Sequence, residues 1–392
     1  MHHTAVDREG SAMLDDRKEL LGAVAAGHLL TLGVRLVLPV LLPAIRNELG
    51  ISLTVSGALI TMLWAVYALG QIPFGALGDR IGERTVLGAS LIATVIASLV
   101  LAAAQGLTTV SLGIILLGAG TALYGTTRIT VLSDVFEDDT AAQGILSSAG
   151  NLGSLVLPLI AGFVASMGWR YGFLWLVPFY LLALAGLYRW MPHTTSDTAP
   201  ASFMDELRRI QEQVDRSVVL QSITVFGIAM FIYSAVTGMY PSYLETVKGL
   251  SDHQVPVVYS MFFVSATAVM AALGPLKERF GEEKTVTALF SVSAVAVLVL
   301  PYVSGFLPLL LLTLMMNAMA VIWPLESSWT VGQLPDEVEG LTFGLIMTVY
   351  ILLGSTGSLV VGRLADTGHF SLGFQLQAVL ILLTLVFLRY EW

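Results

Sequence analysis

The sequence predicts an all-α polytopic membrane protein, with twelve transmembrane helices in two pseudo-symmetric bundles of six. Three observations predict it. The 392 residues are 56% hydrophobic and 12% charged, with mean hydropathy +0.80. A soluble chain carries about 25% charged residues, and half that share cannot cover a water-facing surface of this size. The charges also cluster between apolar runs of roughly 20 residues, the length that crosses ~30 Å of hydrocarbon. Finally, a charged, glycine-rich decapeptide occurs twice, as GALGDRIGER at 75–84 and GPLKERFGEE at 274–283, 199 positions apart. Gly75, Leu77, Asp79, Arg80 and Gly82 align with Gly274, Leu276, Glu278, Arg279 and Gly281. Each decapeptide is expected to form a turn between two spans and to mark one half.

In chain order, residues 1–19 are hydrophilic and mixed in charge, so they read as a cytoplasmic tail rather than a cleaved signal. Six spans follow at about 20–46, 54–76, 85–104, 109–132, 142–166 and 171–191, giving a first bundle over 20–191. The segment 192–217 opens with a polar, breaker-rich linker. Within it Phe203, Leu207, Ile210 and Val214 recur at helical spacing opposite Arg208, Arg209 and Glu212, which predicts a short amphipathic helix along the membrane surface. Six more spans, at about 218–243, 255–276, 285–303, 306–331, 339–361 and 372–389, form a second bundle over 218–392. Runs such as LFSVSAVAVLVLPYV are too continuous for the alternating strands of a barrel, and helices satisfy their own backbone in lipid.

Lysine and arginine orient the chain. With the N-terminus inside, the inner side receives Arg8, Arg17, Lys18, Arg80, Arg84, Arg189, Arg208, Arg209, Arg216, Lys277, Arg279, Lys284 and Arg389. The outer side receives only Arg46, Arg170, Lys248 and Arg363. Both termini are therefore expected in the cytoplasm, and the membrane is expected to be the plasma membrane. The net charge of -9 belongs to loops and tail and says nothing about substrate.

The halves match beyond the decapeptides. LPAIRNELGIS at 42–52 lines up with YPSYLETVKGLS at 240–251, pairing Pro43 with Pro241. GNLGSLVLPLIAG at 150–162 lines up with GSTGSLVVGRLAD at 354–366. Six plus six helices in parallel repeats is a known transporter plan, with the substrate path between the halves near mid-membrane.

With these residues in view, the chain resembles the major facilitator superfamily over essentially its whole length. GALGDRIGER is similar to that family's signature loop between helices 2 and 3, G-x-L-x-D-R-x-G-R/K-R/K, with Glu83 in place of one basic residue. ALGQIPFG at 68–75 and MGWRYGFLW at 167–175 are also similar. The resemblance implies a secondary transporter working by alternating access, with helices 1, 4, 7 and 10 lining a central cavity. It also implies that Asp79 faces a neighbouring helix N-terminus, where the exposed N–H groups and the dipole favour a carboxylate. Asp79, Arg80, Glu278 and Arg279 are thus gating candidates.

Four ionisable residues fall inside spans, where such groups are costly and are functional candidates. His28 and Arg35 share a face of helix 1, seven residues apart; Arg128 lies in helix 4 and Glu326 in helix 10. A guanidinium with five donors suits a carboxylate, a phosphate or another anion, so Arg35 is the first substrate candidate. Offset by 199, Arg128 falls on Ser327, next to Glu326. The pair is expected to close the inner side and to separate when it opens, with Glu326 as the proton-coupling candidate. His28 either carries a proton or hydrogen-bonds a neighbour. Tyr233 aligns opposite Arg35 and, with Tyr124 and Trp323, completes the substrate candidates. Trp64, Tyr67, Tyr240 and Trp329 are further aromatic candidates for the cavity wall. Asn151 and Asn317 are mid-span polar groups that suit interhelix hydrogen bonds.

Other functions find no support. No phosphate-binding G-x-x-x-x-G-K-[ST] loop, metal-ligand spacing or nucleophile elbow is present, so neither an enzyme nor an ATP-driven pump is expected. No cysteine is present, and no cofactor, metal or nucleic-acid partner is expected. The partners expected are a small-molecule substrate, the lipid bilayer and protons, with the chain acting as a monomer. The leading expectation is a small organic or inorganic anion as cargo. Efflux of drugs or hydrophobic compounds by proton antiport is the alternative. Only Pro158 and Gly162 match the helix-5 motif of drug exporters, and Ile114–Leu117 lacks their helix-4 arginine. A non-transporting sensor would need an output domain, which a tail of RYEW does not suggest.

Overall fold

In hydrocarbon each backbone N–H and C=O must be satisfied within its own segment, and every crossing segment here is helical. The computed structural model describes residues 3–135, 139–191, 208–210, 212–335 and 338–391. Among these residues twelve helices are long and apolar enough to cross a membrane. They are α1 (His3–Leu49), α2 (Leu53–Ile81), α3 (Glu83–Ala102), α4 (Leu107–Val135), α5 (Asp139–Val164) and α6 (Tyr171–Trp190), then α7 (Arg216–Thr246), α8 (Gln254–Phe280), α9 (Glu282–Val299), α10 (Phe306–Val331), α11 (Glu339–Asp366) and α12 (Phe370–Glu391). Large apolar side chains such as Leu182, Leu220 and Leu307 are 62% to 68% exposed, as a lipid-facing surface requires.

Three local features differ from the sequence expectation. Helix α1 begins at His3, inside the expected tail. The repeated decapeptides are mostly helix: α2 runs to Ile81 and α8 to Phe280. The turn itself is one residue in each half, Gly82 at φ 82° and Gly281 at φ 83°, a conformation that glycine adopts without a Cβ penalty. Most of the expected amphipathic linker helix, residues 192–207 and 211, lies outside the described residues. Of its apolar face, Ile210 and Val214 pack with Leu334, Val338 and Phe343.

The repeat is visible in how each bundle packs. In the first half α5 presses on α1, where a Cβ on Gly153 would lie 2.1 Å from the Leu29 carbonyl oxygen. In the second half α11 presses on α7, where a Cβ on Gly357 would lie 2.1 Å from the Phe231 carbonyl oxygen. Gly153 and Gly357 are aligned positions in the two repeated segments, and small residues at such crossings let helix backbones touch.

The halves meet at one end of the bundle. We call the end holding the Gly82 and Gly281 turns and both chain termini the terminal end, and the other the distal end. At the distal end Arg46 of α1 bonds Glu245 of α7 at 3.3 Å, and Asn47 donates to the same carboxylate at 3.1 Å. The Asp366 carboxylate, closing α11, accepts from the Leu53 and Thr54 backbone N–H groups at 3.0 and 2.8 Å and from the Thr54 hydroxyl at 2.5 Å. It thus caps the N-terminus of α2 from the opposite half, where dipole and orphan donors favour an anion. In the repeat Gly162 occupies the position of Asp366, and it packs against Pro256 near the start of α8. The same juncture is thus built twice, once as a cap and once as an apolar contact. Among the described residues α4 and α10 share no substantial contact at the terminal end.

Several motif residues explain themselves as clasps within a half. Arg170 holds Glu48 in a two-pronged pair at 2.7 and 3.0 Å and also donates to the Ala104 carbonyl. Trp169 donates to the same Glu48 at 2.8 Å. Arg84 donates to the Tyr188 carbonyl near the end of α6 at 2.5 Å, where a cation meets the negative end of the helix.

Candidate functional site

Arg35 sits mid-way along the apolar span Arg17–Leu49 of α1 and is 5% exposed. Trp64 and Tyr67 of α2, three residues apart and hence on one face, receive it. Its guanidinium carbon lies 4.1 Å from the Tyr67 ring centre and 5.0 Å from that of Trp64. Such contacts contribute about 0.5–2 kcal/mol each, the more so when desolvated. They leave the charge in place, however, and Arg35 Nε has no hydrogen-bond partner. Among the described residues no carboxylate lies within ion-pair distance of Arg35.

The aromatic wall continues into the second half. Trp64 meets Tyr233 of α7 edge-on at 6.0 Å, and Tyr233 meets Trp323 of α10 edge-on at 5.7 Å. Arg35 and its repeat counterpart Tyr233 therefore stand on the two sides of one cavity of about 630 Å³. Its wall includes Arg35, Trp64, Tyr67, Tyr233, Asn317 and Trp323. It runs on past Ser147 and Ser148 of α5 and Met270 of α8 toward the terminal end. With the distal end bound shut, the cavity faces the end that carries the termini.

Of the sequence candidates, Arg35, Tyr233 and Trp323 line this cavity, and His28 and Tyr124 do not. His28 is buried against α5, close enough that a Cβ on Gly150 would lie 2.7 Å from its Nε2. The Tyr124 hydroxyl donates to the Val24 carbonyl at 2.8 Å and pins α4 to α1. Helix α4 is packed behind α1, α2 and α3 and adds no residue to the wall, while α2, α5, α8 and α11 each do. The expected lining by helices 1, 4, 7 and 10 thus holds for three of the four. Tyr240 and Trp329 also lie elsewhere: Tyr240 bonds Thr313 at 2.6 Å, and Trp329 packs on Phe226.

Arg128 donates to the Gly125 carbonyl of its own helix at 2.7 Å and stands beside Tyr67 and Tyr124, within electrostatic reach of Arg35. Glu326, the one buried carboxylate among the described residues, has Tyr350 as its polar neighbour and one carboxylate oxygen without a partner. Arg128 and Glu326 form no ion pair with each other in this conformation. Of the signature-loop candidates, the Asp79 side chain lies outside the described residues. Arg80, Glu278 and Arg279 are exposed, with Arg279 resting 5.2 Å from the Phe280 ring.

Two features escaped the sequence reading. Ser147, Ser148 and Ser154 join Asn151, which the sequence did single out, in a polar stripe of α5 on the cavity wall; their recurrence every three to four residues in an apolar span was the available signal. Asn317 breaks α10 into two pieces joined by the 3-10 turn Ala318–Val321 and donates to the Phe262 carbonyl at 3.1 Å. A hydrogen bond from Asn317 was expected, and the break was not.

Comparison with known proteins agrees with this architecture. A family model described as Major Facilitator Superfamily matches residues 24–350 and 223–391. The fosmidomycin resistance protein of Escherichia coli K12 is 25% identical, with 93% of this chain and 90% of that protein covered. The class C tetracycline resistance protein of Escherichia coli is 24% identical over 84% of this chain and 85% of its own length. Among solved structures, a bacterial homologue of the human lysosomal transporter Spinster, inward-facing and occupied, superposes with TM-score 0.70 at 15% identity, covering 95% and 96% of the two chains. The human organic anion transporter MFSD10 gives 0.68 at 17% identity, covering 95% and 99%. Family match, repeat and fold together establish that the chain belongs to the major facilitator superfamily, as a membrane transporter of a small molecule and not an enzyme.

Proposed function

We propose that this transporter carries a small organic or inorganic anion by alternating access between its two halves, with protons as the coupling ion. The observation that carries the proposal is Arg35: buried, on the cavity wall, stacked on two rings and unmatched by a carboxylate. A buried guanidinium in that setting favours an oxyanion ligand. Both termini lie in the cytoplasm on the lysine and arginine count, and the bacterial relatives support the plasma membrane. The cavity then faces inward. Glu326, beside Tyr350 on the opposite half, is the proton carrier, and its pairing with Arg128 closes the inner side in the alternate state. Asp79, Arg80, Glu278 and Arg279 hold the inner loops in that state. The unit is a monomer.

The test is thermal stabilisation of the purified protein by a panel of organic acids, phosphates, sugars and lipophilic drugs. Anions should raise Tm, and Arg35→Gln should abolish the effect. The names of the resistance-protein relatives and the aromatic wall favour a second reading, export of hydrophobic compounds. Stabilisation by neutral or cationic lipophiles alone would establish that reading and remove the first.

A further inference from the structure

The two halves give the cavity wall different characters. The first half supplies Arg35 and the polar stripe of α5. The second half supplies Met230, Phe263, Met270, Trp323 and Ile351, side chains that offer contact area and almost no hydrogen bonding. Two polar members of that half are engaged: Asn317 donates to the Phe262 carbonyl at 3.1 Å, and Tyr350 bonds Glu326.

Among the described residues of the wall Arg35 is the one charged side chain. Tyr67 takes one hydrogen bond from it, and a guanidinium has five donors to give. One anionic group of a ligand is therefore matched. A second would lie against hydroxyls or apolar side chains with no cation beside it, which is costly in a poorly screened interior.

The stripe of α5 reads a different group. The Ser148 and Ser154 hydroxyls donate to the Gly144 and Gly150 carbonyls at 2.8 and 3.0 Å. With those protons spent along the helix, the two hydroxyls have lone pairs left, so they suit a ligand that brings an O–H or N–H donor. Asn151, exposed on the same stripe, adds a carbonyl oxygen. Helix contacts place the stripe along the ligand. Gly150 packs against His28 and Leu32, and a Cβ on Gly33 would meet Gly153 and Leu157. Arg35 is thus level with the turn around Leu157. At 1.5 Å per residue, Ser154 lies about 4–5 Å and Asn151 about 9 Å nearer the terminal end.

We infer that the preferred ligand is an amphipathic organic monoanion. Its one carboxylate meets Arg35, a flat aromatic body lies on the ring and methionine side of the wall, and a hydrogen-bond donor at the far end meets the α5 stripe at the level of Asn151. The inference rests on the anion reading above and narrows it, since inorganic anions, sugar acids and dianions are then poor ligands. Asn151 is the specificity-determining residue for the donor.

The probe is 4-hydroxycinnamate, a rigid molecule with one carboxylate, one ring and a phenol at the opposite end. Binding to the purified protein is followed by thermal shift and calorimetry at about pH 7, where the phenol keeps its proton. It should bind at least about tenfold more tightly than gluconate or nitrate, which carry one charge and no ring. Cinnamate and 4-methoxycinnamate keep the ring and the charge but bring no donor, and should bind about three- to tenfold more weakly. 4-Carboxycinnamate puts a second charge where the hydroxyl was, and should lose at least about tenfold. Asn151→Leu should bring 4-hydroxycinnamate and cinnamate within about twofold while cinnamate still binds, which also shows that the variant is folded. The ligand series in the unaltered protein decides the matter even if that variant fails to fold. Gluconate, nitrate or 4-carboxycinnamate binding as tightly as 4-hydroxycinnamate overturns the inference and leaves the anion reading standing. So does a preference for the hydroxyl that survives Asn151→Leu. Failure of every anion in the panel overturns both.

Discussion

Arg46 and Glu245 are 199 residues apart in the chain and 3.3 Å apart in space. By the 199-residue offset of the decapeptides the two positions correspond, while by the 198-residue offset of Pro43 and Pro241 it is Asn47, the other donor to Glu245, that corresponds. Opposite signs convert the juncture into a latch. Both side chains are about one-fifth exposed, so the pair contributes modestly, on the order of 0.5–1 kcal/mol. Neutralising either partner, as Arg46→Gln or Glu245→Gln, is expected to move the population toward the distal-open state by about two- to fivefold. The charge swap of both should restore it. Spin labels across the distal end report the populations directly, and the chain contains no cysteine to remove first. Unchanged distance distributions in both single variants would eliminate the latch.

Asp366 is the stronger element of the same closure, because it meets two backbone N–H groups and a hydroxyl at the start of α2. Asp366→Asn keeps the shape and removes the charge. The loss of a charged cap costs about 1–2 kcal/mol, so the distal end should open roughly five- to thirtyfold more often. Gly362→Ala should act more severely, since a Cβ there would lie 2.3 Å from the Leu53 carbonyl oxygen in this distal-closed conformation. Labelling of a distal-end cysteine by an impermeant maleimide should speed up in both variants. A rate equal to that of the unaltered protein in Gly362→Ala would mean that α2 and α11 do not separate there.

How far the sequence foretold this arrangement differs between fold and site, for a physical reason. Spans are legible because hydrocarbon thickness fixes their length, and the two halves are legible because the decapeptides repeat. Arg35 stands out because a lone charge in an apolar span has few uses. What it touches was not legible. Trp64 and Tyr67 were two aromatics among several, and only the crossing of α1 over α2 selects them. The α4 placement failed in the same way. Tyr124 has a cavity-suited side chain, but a 2.8 Å bond to the Val24 carbonyl turns it into the packing between helices. Gly82 shows the limit at short range: glycines at 75, 78 and 82 all permit a turn, and only Gly82 leaves the helix.

The role of Tyr124 can be separated from substrate binding. Tyr124→Phe removes one buried hydrogen bond and keeps the ring. Stability should fall by about 1 kcal/mol, seen as a Tm lower by roughly 2 °C. The KM for transport and the ligand-induced shift in Tm should be unchanged. A weakened ligand shift with unchanged intrinsic Tm would instead place the hydroxyl in the binding site in another state of the cycle.

Arg128 and Glu326 give the test of the cycle itself. In this conformation they are unpaired, Arg128 beside Tyr67 and Glu326 beside Tyr350, with α4 and α10 apart at the terminal end. If they pair when that end closes, protonating Glu326 would release Arg128 and open the inner side, which ties proton movement to the conformational cycle. Removing one partner should therefore be more damaging than removing both. Arg128→Gln and Glu326→Gln are each expected to slow transport by about tenfold or more, the scale of an uncompensated buried charge. The double variant should be less impaired than the product of the two, with a coupling of at least about 1 kcal/mol. The cycle is measured on initial transport rates in proteoliposomes. Additive losses within about 0.3 kcal/mol would show that the two residues act independently and that the inner closure lies elsewhere.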